Sequence, residues 1–400
     1  MLLRDAGHKR PAHLGAYPLE ALATDASIIA IESARAPQVV EAPPASDSTR
    51  QTMAAPATLR DAVNHHIALL QAFATGDIAP NQAPVPTDLA RRSVELKGAA
   101  YYLDADHAGI CELPEPIWLR STKPNVAPDQ VPQHTHALVI LCAHPRAVEP
   151  DNAAFGWVNN AQDSIAQLKC AEIAIALAGH VRALGFNARA HTVLDKGLDM
   201  QRAAVLAGIA QRTDVTQPDA ISSPFLGTKV ELGVVSFDYP VAVDLPLAAN
   251  AKISALRYWL GVGGAMSGRE RNRRARRPSH LSRYPMEQVT RVAQPTTAIF
   301  EDEIPRVPLR ANFFSRARHG DLGKKAQREV ARFASKHPLT HGMMPLINIL
   351  KDEQDGPVAA IAQAGFTDAA ANTKAIKTLA HLLGADLAGC LLYTSDAADE

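Results

Sequence analysis

The sequence predicts an α+β protein, a mixed sheet flanked by helices, laid down twice in tandem with the second copy incomplete. Three observations predict it. The apolar run "HALVILCAHP" (His136–Pro145), closed by proline, reads as a central strand. Segments with apolar residues every three or four positions stand on both sides of it, without a strict βαβ rhythm. Two stretches then recur, in order, at domain-sized offsets.

The first recurrence pairs "RPAHLGAYPLE" at Arg10 with "RPSHLSRYPME" at Arg277. Seven of eleven positions agree at an offset of 267, among them Arg10/Arg277, His13/His280, Tyr17/Tyr284 and Glu20/Glu287. The second pairs "PTDLARRSVELKGAAYYLDADHAG" at Pro86 with "FTDAAANTKAIKTLAHLLGADLAG" at Phe366, at an offset of 280. It keeps Asp88/Asp368, Lys97/Lys377, Ala100/Ala380, Leu103/Leu383 and Asp106/Asp386. Shared helix composition accounts for the alanine-rich pair but not for the first. The first copy is read as residues 1–266, a Gly- and Arg-rich junction as 267–277, and the start of a second copy as 278–389. The last eleven residues, "CLLYTSDAADE" (Cys390–Glu400), read as translated sequencing adapter and are set aside from fold reasoning. This expectation puts the end of the natural sequence at Gly389.

The elements of the first copy follow in order. Residues 31–58, rich in Ala, Pro, Ser and Thr, read as a linker. Leu59–Gly76 and the segment after the N-cap pair Thr87-Asp88 read as helices, and "HAGICEL" as a buried strand. Asp163–Phe186 is the longest helix, capped by Asp163 and stopped at Gly185; "NARAHTV" follows as a short strand and "MQRAAVLAGIAQR" as a helix. Val230–Leu247 reads as two strands around a turn at Asp238-Tyr239-Pro240. In the second copy Asp321–His337 reads as a charged helix, and "TDAAANTKAIKTLAHLLG" as another that leads through "ADLAG" into a buried strand.

Length and composition bound the function. Four hundred residues suit roughly two domains of ~150–200 residues. Lys plus Arg and Asp plus Glu both number 41, so no global charge draws the chain to nucleic acid or an anionic membrane. Four cysteines without a regular framework or a CxxC pair argue against a disulfide-stapled secreted protein, a zinc ribbon or a cluster-binding run. The N-terminus has no apolar signal region, and no window is long and apolar enough to span a bilayer, so a cytoplasmic protein is expected.

Candidate chemistry is sparse. "GVGGAMSG" (Gly261–Gly268) lacks the spacing and the preceding strand of a phosphate loop and reads as a hinge between copies. "RERNRRARR" (Arg269–Arg277) reads as a solvated linker or an arm docked on the partner half rather than a phosphate site. His134 with His136, and Cys142 with His144, have strand spacing that could place each pair on one side, but no third ligand is evident. Cys111, Cys142 and Cys170 lie in apolar runs and read as packed thiols. Pro338 between His337 and His341 breaks helical geometry, and no GxSxG pattern marks a nucleophile. The repeated His-Leu-x-x-Tyr-Pro element reads as an extended arm plugging an apolar groove. A ligand role for His13, His280, Tyr17 or Tyr284 is the lesser alternative.

At this point the chain resembles the cobalamin-dependent reductive dehalogenases, in particular the soluble, oxygen-tolerant catabolic type. The resemblance rests on "RRPSHLSRYPMEQV", "FFSRARHGDLGKKAQREV", "TKAIKTLAHLLGADLAG" and the fused, degenerate first copy. "AEIAIALAGHVRALGFNARAH" and "VAVDLPL" also look like a helix and strand of the core shared with epoxyqueuosine reductase. The resemblance implies a nitroreductase-like or cobalamin-reductase-like fold, with a non-catalytic first copy serving as scaffold and a catalytic second copy. It implies cobalamin and two [4Fe–4S] clusters in the full-length protein, with an electron-donating reductase or ferredoxin as partner, and halide removal from an aryl halide. In the family those parts lie beyond Gly389. No catalytic, cofactor-binding or metal-binding residue is therefore carried onto this chain, and the fragment alone is expected to bind no cofactor. Its expected partner is the missing C-terminal half, with no nucleic acid and no membrane. The alternatives are an epoxyqueuosine-reductase-like or flavin nitroreductase-like enzyme, and a non-catalytic docking or dimerisation module. Exposed apolar surface on the first copy is expected for the fragment and not for the module.

Overall fold

The computed structural model describes residues 10–40, 58–121, 134–158, 160–195, 197–213, 220–290, 308–333, 336–350 and 368–389. Cys390–Glu400, read above as adapter, lies outside them.

The centre is a four-stranded sheet. Strands β1 (His107–Glu112), β2 (His136–Ala143), β3 (Ala188–His191) and β4 (Val230–Phe237) lie in the order β1-β2-β4-β3. Every pair is antiparallel, with registers such as Ile110 opposite Leu138, Val139 opposite Val234 and Ala190 opposite Val235. The expected mixed sheet is corrected accordingly. β2 and β3 do run the same way, joined through a long helix, but β4 inserts between them and pairs antiparallel with both. The sequence shows the crossover and not the insertion.

Both faces of this sheet are buried, so its strands read as unbroken apolar runs. Leu138, Ile140, Cys142, Val235 and Phe237 face helices α1 (Leu59–Leu70), α2 (Leu89–Tyr102) and α3 (Gln162–Ala183). Ala137, Val139, Leu141 and Val234 face helix α4 (Met200–Leu206), Phe225 and Tyr17. The alternation follows from the period of two along a strand. Glycines permit the closest approaches: a Cβ on Gly233 would lie 2.7 Å from the Cys170 carbonyl of α3, and one on Gly109 would lie 2.2 Å from the Ala207 carbonyl just past α4.

Several expected elements change form. The segment expected as linker begins inside a helix, Ser27–Ala34, and its described part then pairs Val39–Val40 parallel with Arg120–Ser121. α1 stops at Leu70 and tightens into a 3₁₀ turn, Gln71–Phe73. α3 starts one residue before Asp163, whose carboxylate takes Arg60 at 2.7 Å instead of capping the helix. Residues after Phe237 make no second strand: Ala242 N–H donates to Leu89 O and Asp244 N–H to Ile110 O, which ties the segment across α2 and β1. The charged helix begins at Gly323, and Pro338, placed above as a breaker, is the first residue of helix α6 (Pro338–Ile349). Pro tolerates that position because its missing N–H would be unpaired there anyway. His337 is the N-cap, its Nδ1 accepting from Leu339 N–H.

The two matched segments take the same local form. Each arm is a pair of 3₁₀ or turn segments rather than an extended strand. Arg10 Nε donates to Gly15 O at 2.9 Å and its guanidinium meets Glu20 at 2.9 Å. Arg277 Nε donates to Ser282 O at 2.6 Å and meets Glu287 at 2.8 Å. In the other pair, α2 and helix α7 (Ala369–Leu382) each have 14 residues and an Asp N-cap, Asp88 or Asp368, accepting from the second N–H. Each ends at a left-handed residue, Asp104 or Gly384. The stretch after α7, expected as a strand, is not one, and Leu387 in it is exposed.

Candidate functional site: the seam between the matched halves

The second half lies on the first along a polar clamp. The loop after β2 supplies Arg146, Glu149 and Asn152; the second arm supplies Ser279 and Leu281; α7 supplies Thr378. Glu149 accepts from the Ser279 N–H at 2.8 Å and, through its other oxygen, from the Ser279 hydroxyl. Arg146 Nη2 donates to Ser279 O at 2.9 Å and Leu281 O at 3.1 Å. Asn152 Nδ2 donates to Thr378 Oγ1 at 2.8 Å and lies 3.3 Å from Ser279 Oγ. Burial alone would raise the Glu149 carboxyl; the hydrogen bonds from Ser279 and the Arg146 charge overcome it and hold the group below the usual carboxylate range. Below the clamp, Ala375 and Leu382 of α7 pack with Val63, Val148, Val158 and Ile165.

Sequence reasoning missed these residues, yet a signal was present. Three of the second-half residues that meet the first half stand where the matched segments differ, Ala12 against Ser279, Gly98 against Thr378 and Tyr102 against Leu382, while Leu281, whose carbonyl accepts from Arg146, keeps the identity of Leu14. Outward positions of one segment are inward-facing in the other. Leu96 and Ala100 of α2 are 2% and 0% exposed against the sheet, while Tyr102 is 77% exposed. On α7, Ala375, Thr378 and Leu382 are buried, while Ile376 and Leu383, the counterparts of Leu96 and Leu103, are 61% and 52% exposed.

The arm residues do not form one site. Tyr17 is buried, its ring 5.8 Å from Phe225 and edge-on to His107 at 5.2 Å, and burial pushes its phenol up. Tyr284 is half exposed at the surface. His13 borders a small cavity of about 140 Å³ with Lys97 and Asp244, themselves paired at 2.7 Å; His280 sits at the clamp, lowered by burial and by Lys374. The "GVGGAMSG" stretch is docked rather than loose: Ala265 is buried and Met266 N–H donates to Ala16 O at 2.6 Å. The arginine run is mostly helix α5 (Gly268–Ala275), where Glu270 holds Arg273 and Arg274 at 2.7 Å each.

The fold does assemble Ser, His and Asp without a sequence pattern. Ser236 Oγ lies 2.7 Å from His191 Nε2 and 2.7 Å from His134 Nδ1, and His191 Nδ1 lies 2.9 Å from Asp195. All four residues are buried, and desolvation drives His134 down to about 4. The constellation ties β4, β3 and the loop before β2 together. His136, by contrast, stacks on Phe237, so the pair expected on one side is separated. Among the described residues no three His, Cys, Asp or Glu side chains could hold a metal.

Neither group implied by the resemblance fits the described residues. An iron–sulfur cluster needs converging thiolates. Cys142 and Cys170 adjoin on one face of the sheet, Cys111 lies on the other, and burial raises Cys111 and Cys170 well above an ordinary thiol. The cavity at the seam holds about 330 Å³, near the lower end for a drug-sized ligand and too small for a corrin with its tail.

Comparison with solved structures decides the family. The catabolic reductive dehalogenase NpRdhA matches over 95% of this chain at 37% identity, with a TM-score of 0.78. The chain belongs to the reductive dehalogenase family. NpRdhA in complex with 3-bromo-4-hydroxybenzoic acid matches at a TM-score of 0.79, as does a reductive dehalogenase structure described as suggesting a mechanism for B12-dependent dehalogenation. The chain spans about half the length of those structures, 52–53%. Epoxyqueuosine reductase matches at only 14% identity and a TM-score of 0.25, which carries no argument. No family model and no curated protein matches the sequence. No described helix is long and apolar enough to cross a membrane.

Proposed function

We propose that the chain is the front part of a B12-dependent reductive dehalogenase that removes halide from an aryl halide. Residues 1–266 are a first, non-catalytic copy of the cobalamin-fold domain, 267–277 the junction, and 278–389 the start of the catalytic copy. The first copy is a scaffold: its clamp residues position the second arm and α7.

One observation carries the reading. α7 repeats α2 in length, cap and termination, yet docks through the opposite face and leaves the face matching Leu96 and Leu103 open. A helix with an open apolar face supports a further sheet packing there, as β1 and β2 pack on α2. Exposed Leu256, Trp259 and Leu260 on the first half support the fragment reading over a self-sufficient docking module. Cobalamin, when bound, would supply the nucleophilic metal chemistry, and two [4Fe–4S] clusters the electrons. The residues that hold them lie in the remainder of the protein. The enzyme would work in the cytoplasm with a reductase or ferredoxin donor, and without nucleic acid or membrane.

The test is to express the complete reading frame with B12 and iron and to follow bromide release from 3-bromo-4-hydroxybenzoate under a low-potential reductant. Release by the complete frame and none by residues 1–389 is expected. A complete frame that binds neither corrin nor iron, or binds both and releases no bromide, overturns the proposal.

A further inference from the structure

The seam cavity of about 330 Å³ is built from both halves: Tyr17, Asp106 and Arg146 from the first, Arg271 from α5, Leu281 from the second arm and Leu382 from α7. Its charges are unevenly matched. Arg274, Arg283 and Arg277 have carboxylate partners in Glu270, Asp386 and Glu287. Arg146 donates only to main-chain carbonyls, and Arg271 has no side-chain hydrogen bond or ion pair among the described residues. Asp106 lines the same cavity, accepts from Ala143 N–H at 2.8 Å and makes no ion pair among the described residues; Lys169 acts on its charge most, and Arg271 less. Burial raises the Asp106 carboxyl.

Besides the polar side chains of Ser279, Thr378 and His381, the wall offers a phenol ring and aliphatic carbon from Val148, Leu281, Met266 and Leu382. A bare phosphate would satisfy the guanidiniums and leave that carbon wet. A flat hydrophobic ring carrying one carboxylate satisfies both, because a guanidinium pairs bidentately with a carboxylate and the ring takes the apolar wall. The volume suits a single ring.

We propose that this inter-half cavity is a binding site for a monocyclic aromatic carboxylate, with Arg271 as the residue that takes its carboxylate. The proposal does not depend on whether the complete protein removes halide. Its place on the seam means that occupancy bridges the scaffold to the second half.

The experiment is calorimetric titration of the 400-residue chain with 4-hydroxybenzoate, 3-bromo-4-hydroxybenzoate, benzamide and inorganic phosphate. Saturable binding of the two acids is expected, with benzamide at least tenfold weaker. Arg271→Met should lower affinity for the acids at least tenfold and Arg271→Lys should recover part of it. Arg269→Gln, on the exposed side of α5, should change nothing. Circular dichroism and melting of each variant establish that it is folded. Leu281→Ala gives a second, uncharged test of the same cavity, expected to weaken the acids and leave phosphate unaffected. No saturable binding of either acid, equal binding by a folded Arg271→Met variant, or tighter binding of phosphate than of the acids overturns the proposal.

Discussion

Gly342 of α6 lies against Ala176 of α3 so closely that a Cβ on Gly342 would come 2.2 Å from the Ala176 carbonyl oxygen. One turn on, a Cβ on Gly179 would come 2.9 Å from the Gly342 Cα. Two helices thus cross with backbone against backbone, and Leu339, Leu346 and Ile349 of α6 reach the core through that crossing. Gly342→Ala should separate the helices at a cost of about 1–3 kcal/mol, as overpacking of a tight contact does. Limited proteolysis should then cut near α6 faster than in the parent chain, and a variant with unchanged protection would show that the crossing is dispensable.

The clamp makes a pH-dependent contribution. Glu149 has a folded-state pKa below its ordinary value, so its stabilisation is present above the ordinary carboxylate range and is lost as pH falls through the depressed value. Glu149→Gln should cost about 1–2 kcal/mol at pH 7, since the amide accepts with one oxygen only and its N–H₂ faces donors. The difference between parent and variant should shrink by pH 3 in urea unfolding followed at both pH values.

Glu172 on α3 has the opposite sign. Burial raises its carboxyl to about 7. Its folded state holds the proton more tightly, so it favours the fold fully below the ordinary carboxylate pKa and loses that contribution as pH rises to 7 and beyond. Glu172→Gln should therefore be more stable than the parent at pH 8, by ~1–2 kcal/mol after allowance for screening, and melt higher there, while melting near the parent at pH 4.

The two faces of α7 give a paired test. Leu382 is buried among Val148, Val158 and their neighbours, so Leu382→Ala should cost about 2–4 kcal/mol. Ile376 is exposed, and Ile376→Ser should leave the melting temperature of this chain unchanged. In the complete protein the same serine should destabilise, because the proposed sheet would cover it.

The strands of the central sheet, the two long helices of the first half and the recurrence of the arms were legible because each carries a periodic or repeated local signal, whereas the 3₁₀ form of the arms was not. His136–Ala143 is a run that only a strand buried on both faces explains, and Asp88 announces its helix. The insertion of β4 was not legible, since strand order depends on contacts between residues nearly a hundred positions apart. Pro338 misled because the sequence shows a breaker and not which side of it the helix lies. The clamp escaped for a different reason. Glu149, Asn152 and Thr378 are ordinary polar residues whose meaning is their meeting, and only the mismatches between the repeated segments pointed to it.

Each arginine latch closes on a carbonyl five residues ahead and a glutamate ten residues ahead. Such a ring needs no distant sequence, so it can form as soon as its own dozen residues leave the ribosome. The clamp has the reverse timing: Ser279 must wait for Thr378, 99 residues later, before its hydroxyl is enclosed. The order of synthesis thus finishes the first hook before the surface it packs on, whereas the first half stands complete when the second hook arrives.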